Sequence, residues 1–268
     1  KLGKILVIID QDGDEDYKPM LIPIEGGYPK AAFDEMFAEH RFFMMDSFPK
    51  ENTAYFRAAS HKEATNTALK VNLENGVVTQ LHSSVYGGFI DCVNHDHSKA
   101  ILIDSYTMGD HLITLWQDGD VRTLFGTPIE DRHAGEAYPP NGMNDCHFVR
   151  DDSGLLLVTT LFDDCGGLGF IDLDNPREAK PVSISGVTHQ GIGELSGLKH
   201  IADNRYGVKF NIDGADWVYE GLFDENALKM ELSIVLVGQG VLSNGVLEHI
   251  SYDKASGNFA LSFSTATS

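Results

Sequence analysis

The stretch NDCHFV (residues 144–149), RDDSG (150–154) and LLLVTTL (155–161), followed by GGLGFIDL (166–173), DNP (174–176) and PVSI (181–184), decides the fold of this chain. It reads as four short strands separated by turns. Leu, Val, Ile, Phe and Thr suit a pleated, half-buried surface, whereas Asp, Asn, Ser, Gly and Pro supply the backbone angles that tight turns need. The strands are hairpin-connected, so the unit is an antiparallel sheet. Four-stranded units repeated at ~40–50 residues are the mark of a β-propeller blade.

The same grammar recurs. Gly88, Gly142, Gly193 and Gly245 each open an apolar run, and a more hydrophobic run follows each at 99–103, 155–160, 206–212 and 258–264. The unit before Gly88 uses 42–48, 53–59, 68–73 and 77–81, and the next uses 89–93, 100–105, 111–116 and 121–125. The unit after Gly193 uses 198–201, 207–212, 217–222 and 230–237. Residues 28–45 come nearest to a helical period, but their prolines and aromatics favour strand and loop. Four complete units are expected, with partial ones at either end: residues 5–9 and 20–24 at the start, 246–252 and 258–264 at the finish. The terminal pairs either join as one composite blade, giving five blades, or belong to an arc of a larger propeller. Unpaired strand edges would be an aggregation hazard. The first residue is not Met and the last unit is unfinished, so residues 1–268 are expected to be one propeller domain from a longer or processed chain.

Composition narrows the partners. The formal net charge is −20, from 40 acidic and 20 basic side chains, which disfavours nucleic acid and anionic membranes as ligands. No apolar run is long enough to span a bilayer, and no secretory signal pattern opens the sequence. Cys92, Cys146 and Cys165 lack the spacing of a zinc site, and their odd number suits buried thiols in a reducing, cytoplasmic setting. The longest insertion is the loop at 126–142, where Tyr138 and the following prolines offer a surface contact. Trp116 and Trp217 fall in third strands and are expected to pack between neighbouring sheets.

The runs DQDGDED (10–16), PMLIPIEGG (19–27), GMNDCHF (142–148), VTTLFDD (158–164) and ALSFSTATS (260–268) resemble the propeller of prolyl-oligopeptidase-family serine peptidases. The resemblance implies a cap that restricts access of peptide substrates to an α/β-hydrolase domain following the propeller in the parent chain. That catalytic domain is not within these 268 residues. A hydrolase nucleophile sits in Gly-x-Ser-x-Gly, and neither Ser196 (GELSG, 193–197) nor Ser243 (GVLSNG, 240–245) has a glycine two positions before it. No catalytic residue and no cofactor are therefore assigned.

Three constellations remain. His147, His200 and His249 fall at similar places in successive units, as Cys92 does before them, with Asp145 and Glu248 nearby. They would line a channel able to take an anion, a peptide terminus or a metal, or each would pack between sheets on a backbone hydrogen bond, which repeats commonly duplicate. The acidic turn at 10–16 has the oxygen density calcium wants, with Asp12 and Asp14 as ligands, but not the full spacing of an EF-hand loop. A solvated turn bonding its own amides fits it better. Asn144 and Asp145, with Glu194 and Glu248, resemble the metal-binding set of gluconolactonase-like propellers, which implies a metal-dependent lactonase or sugar-binding propeller. A protein-binding scaffold is the third reading, and free sheet edges add the prospect of a strand-exchanged dimer.

Overall fold

The computed structural model describes residues 2–33, 38–253 and 255–265. Asp34–Phe37 of the helix-or-strand segment and the last three residues of the closing run therefore lie outside the described residues. Twenty-one strands and two 3-10 turns, Ile129–Asp131 and Gly240–Leu242, make up the regular structure among the described residues. No helix among them is long and apolar enough to cross a membrane. The chain divides into two compact units, Lys1–Glu130 and Asp131–Ser268.

The first unit opens with a three-stranded sheet, β1 (Lys4–Ile9), β2 (Lys18–Pro23) and the short β3 (Lys30–Ala31). Sequence periodicity gave no sign of β3. Two complete sheets follow: β4 (His40–Phe48), β5 (Thr53–Ser60), β6 (Asn66–Asn72) and β7 (Val78–Ser84), then β8 (Phe89–Val93), β9 (Lys99–Thr107), β10 (Asp110–Gln117) and β11 (Asp120–Phe125). Each is antiparallel in chain order. Tyr55, Ala68, Leu81, Ile90, Ala100, Leu102 and Trp116 form one buried cluster drawn from both sheets. Trp116 thus fills the space between neighbouring sheets, as its place in a third strand suggested.

The second unit contains β12 (Met143–Val149), β13 (Gly154–Thr159), β14 (Gly167–Asp172) and β15 (Asn175–Ser185), then β16 (Gly193–Ala202), β17 (Arg205–Ile212), β18 (Ala215–Asp224) and β19 (Lys229–Val237). The β20 (Gly245–Asp253) and β21 (Asn258–Thr265) hairpin closes the chain. The turn at 150–154 behaves as its composition demands: Arg150, Asp151 and Asp152 all take positive φ, between 51° and 63°, and the Ser153 amide donates to the Arg150 carbonyl. One feature departs from expectation. As the fourth strand of its unit, 181–184 would be an outer edge, but Ser183, Ile184 and Ser185 pair in parallel with Lys229, Met230 and Glu231, joining two four-stranded groups into one eight-stranded sheet. Pairing the edge removes an exposed row of amides and carbonyls.

Burial is graded by strand order. All six residues of β13 are buried, and five of the eight in β5, whereas the fourth strands β7 and β11 have one buried residue each. β13 is covered on both faces, so it reads as an unbroken apolar run, whereas the second strands β17 and β21 alternate. Leu156, fully buried, packs in a cluster with Phe170, Val208, Tyr219, Phe223 and Met230, which holds the two halves of the eight-stranded sheet together. Leu156→Ala is expected to lower stability by ~2–5 kcal/mol. Urea unfolding followed through Trp217 in a Trp116→Phe background measures it; a loss below ~1 kcal/mol would contradict this packing.

Candidate functional site

The five first strands β4, β8, β12, β16 and β20 share one irregularity. Each carries a register shift against its second strand, at Met44/Asp46, Ile90/Cys92, Asn144/His147, Leu195/Gly197 and Leu247/His249. Such bulges re-aim side chains out of the strict alternation of a strand. Cys92, His147 and His249 each follow the bulge directly. In β16 that place belongs to Gly197, and His200 lies three residues on, beside a second shift. The register therefore sets His200 apart from the other two histidines.

At the β12 bulge Asp145 takes φ 50°, which turns its carboxylate toward β16. Its Oδ2 accepts the Leu198 amide at 2.9 Å, while His147 Nε2 donates to the Leu198 carbonyl at 3.1 Å. Two candidate site residues thus satisfy both backbone groups of one residue, a structural tie between sheet halves. Burial, above all, holds the His147 imidazole below its ordinary range, and nearby His200 adds to this against the opposing Leu198 carbonyl and Asp145. His200 Nε2 donates to the Asp203 carbonyl at 2.9 Å, and its ring lies 6.2 Å from that of His147. Glu248 Oε1 accepts from Ser264 Oγ at 2.7 Å.

Asp145, His200, Glu248 and His249 come together as lining of a cavity of about 410 Å³ in the second unit; His147 is not part of that lining. The volume is that of a small-ligand or side-chain pocket. Leu247, Ile250, Tyr252 and Phe259 make its apolar wall. Two lysines on its rim, which the sequence reading missed, are spoken for: Lys199 Nζ donates to the Ile250 carbonyl at 2.6 Å, and Lys209 pairs at 2.9 Å with Asp216, a carboxylate only 1% exposed. Asp216 Oδ2 also accepts the Leu247 amide at 2.8 Å. These bonds, with Arg205 bidentate on Glu220 and reaching the Tyr252 hydroxyl, fasten β20 to the neighbouring sheet. Alternating Lys and apolar residues along β16 and β17 was the available signal.

Ser196 also faces this cavity, but no imidazole bonds its hydroxyl, and Ser243 Oγ is turned onto the Gly240 carbonyl at 2.8 Å. Asn144 and Glu194 are exposed and do not line the cavity, so the lactonase-type set is not assembled. No group of three or more His, Cys, Asp or Glu side chains placed to hold a metal occurs among the described residues. In the acidic turn, Asp14 Oδ1 accepts the Gln11 and Asp16 amides, Asp10 accepts that of Glu15, and Asp16 pairs with Lys18 and His61. That is the solvated turn bonding its own backbone; Asp12, at φ 54°, shapes the bend. Cys92, Cys146 and Cys165 form no disulfide among the described residues. Tyr138 is bound within its own loop, to Glu136 and the His133 amide.

No protein-family model matches the sequence. No curated protein matches it either. Solved structures do. A prolyl endopeptidase, from work on inter-domain dynamics in catalysis and specificity, matches at 8% identity and TM-score 0.52, over 98% of this chain and 48% of its own. Prolyl oligopeptidase B from Galerina marginata, as apo protein, matches at 11% identity and TM-score 0.64, over 98% and 37%. TolB from Acinetobacter baumannii matches at 12% identity and TM-score 0.51, over 98% and 61%. Likeness at these identities shows the β-propeller fold. The chain spans less than two thirds of the length of each.

Two outcomes are expected from the site. Because the folded state holds His147 less basic than the unfolded chain, its contribution to stability is full above the unfolded value near 6.5 and is lost as pH falls through the lower folded value. An NMR titration of His147 should give a midpoint below ~6.5, and a midpoint above it would refute the assignment. Lys209→Met leaves the Asp216 carboxylate buried without its cation, which should cost ~3–5 kcal/mol in urea unfolding followed by Trp217 fluorescence.

Proposed function

We propose that this chain is a non-catalytic binding propeller that serves as the peptide-admitting cap of a serine peptidase of the prolyl-oligopeptidase type, the covalent chemistry being supplied by a hydrolase domain outside residues 1–268. The observation that carries this is the character of the cavity in the second unit: apolar and aromatic walls with a few polar groups, and a serine that has neither a base on its hydroxyl nor a nucleophile elbow around it. Such a surface binds and orients; it has no means of attacking a carbonyl. Likeness to two prolyl peptidases over 98% of the chain supports the same reading.

A peptide suits the cavity because a side chain can enter between Tyr252, Phe259 and Leu247 while Glu248 and His249 meet its polar backbone. Cytoplasmic residence belongs to this proposal, supported by three cysteines that form no disulfide among the described residues. A protein-binding scaffold is the second reading, favoured by likeness to TolB across 98% of the chain. The two separate by experiment. With a fluorophosphonate probe, residues 1–268 produced alone should remain unlabelled, and the full-length protein should be labelled at a serine outside them. Labelling of Ser196 would overturn the non-catalytic reading, and an unlabelled full-length protein would favour the scaffold.

A further inference from the structure

A row of alternating rings and cations runs through the first unit. The Arg41 guanidinium carbon lies 5.2 Å from the Tyr17 ring centre and 4.9 Å from that of Phe43, and the Arg57 guanidinium carbon lies 4.3 Å from Phe43 and 4.6 Å from Phe89. The order is set by the fold: Phe43 and Arg57 are directly paired across β4 and β5, and Phe89 opens β8. Gly87 makes the last contact possible. At φ 126° it lies so close to Phe89 that a Cβ there would sit 2.2 Å from the ring.

The charge balance of this row is incomplete. In a chain with twice as many acids as bases, Arg57 has no carboxylate partner among the described residues, and Arg41 has only Glu15, at 3.7 Å with its side chain 67% exposed. The Nε atoms of both arginines are buried without an acceptor among the described residues. Burial foremost, and then the neighbouring charge of Arg41, make Arg57 easier to deprotonate than a free guanidinium. A buried, unpaired donor costs ~1–3 kcal/mol, and two like charges sharing one ring add to that. Cation–π contact offsets part of the cost but leaves the Nε donor of each guanidinium without an acceptor among the described residues. Arginines fixed in this manner are set for a planar oxyanion.

We propose that Arg41 and Arg57, stacked on Phe43, form a binding site for a carboxylate of a peptide ligand. The ligand carries a single negative charge because the protein as a whole is at −20 and repels polyanions such as phosphate or nucleic acid. It is a peptide because the cations are framed by Tyr17, Phe43 and Phe89, which offer apolar surface to the residue bearing the carboxylate. Glu15, in the acidic turn, lies 3.7 Å from an Nη of Arg41 and would compete with the ligand carboxylate for that cation. The site uses residues of the first unit only and stands whether or not the chain belongs to a peptidase.

The test follows the Arg41 and Arg57 Nε–Hε signals of the nitrogen-15-labelled chain during titration with short N-acetylated peptides. A peptide with a free C-terminal carboxylate should shift both signals, and its C-terminal amide should not. An amidated peptide containing Asp tells whether a side-chain carboxylate serves as well, and a shift with either carboxylate source supports the site. Arg41→Lys and Arg57→Lys keep the charge but lose the fork and should each weaken binding about tenfold. Glu15→Gln should tighten it. Absence of any shift at millimolar peptide, binding unaltered by Arg41→Lys, or inorganic phosphate binding as tightly as the peptide would each overturn the proposal.

Discussion

The eight-stranded sheet depends on its second strand β13 being covered on both faces. The six residues of β13 are all buried, and Leu155, Leu156 and Leu157 at its centre have no exposed surface. A strand of that composition cannot stand at an edge or face water on one side, because each such side chain contributes ~1.5–3 kcal/mol only when it is removed from solvent. The chain must therefore cover both faces of β13 with apolar side chains. In the first unit the fourth strands β7 and β11 stand at the sheet edges and are the more exposed, whereas in the second unit β15 and β19 pair with each other.

Where apolar packing runs out, polar ties take over, and they gather at the bulged first strands. Leu198 has both of its backbone groups satisfied by side chains of β12, from Asp145 and His147. Leu247 relies on a carboxylate, Asp216, that is itself neutralised by Lys209. A bulge leaves ladder groups unpaired, so neighbouring strands have to provide substitutes. This accounts for Asp145 and His147 lying at the β12 bulge, where each bonds a backbone group of Leu198.

How much of this was legible varies with the type of signal. Four complete groups could be read because hairpin turns and apolar runs are local properties, as at 150–154 where three successive residues adopt positive φ. The short β3 and the early start of β15 at Asn175 could not, since two-residue pairing and strand extension through Pro176 are imposed by partners and not by composition. The histidines were visible as residues, but their roles were not. His147 and His249 follow equivalent bulges whereas His200 does not, and a bulge shifts register without altering the spacing of types in the sequence. Lys209 and Asp216 lie seven residues apart across the β17–β18 hairpin, and only the register of that hairpin brings them together. Arg41, Phe43 and Arg57 were in plain view, but only strand pairing puts two cations on one ring.

The parallel contact between β15 and β19 carries a kinetic consequence. Every other strand pairing in the second unit connects neighbours in the sequence, so those hairpins can zip up from their turns. The Ser183–Lys229 ladder spans three intervening strands and gains nothing until they have formed. It is consequently the seam that closes last, and the first to open when the eight-stranded sheet fluctuates, which makes β15 the place where amide exchange would reveal the two halves parting.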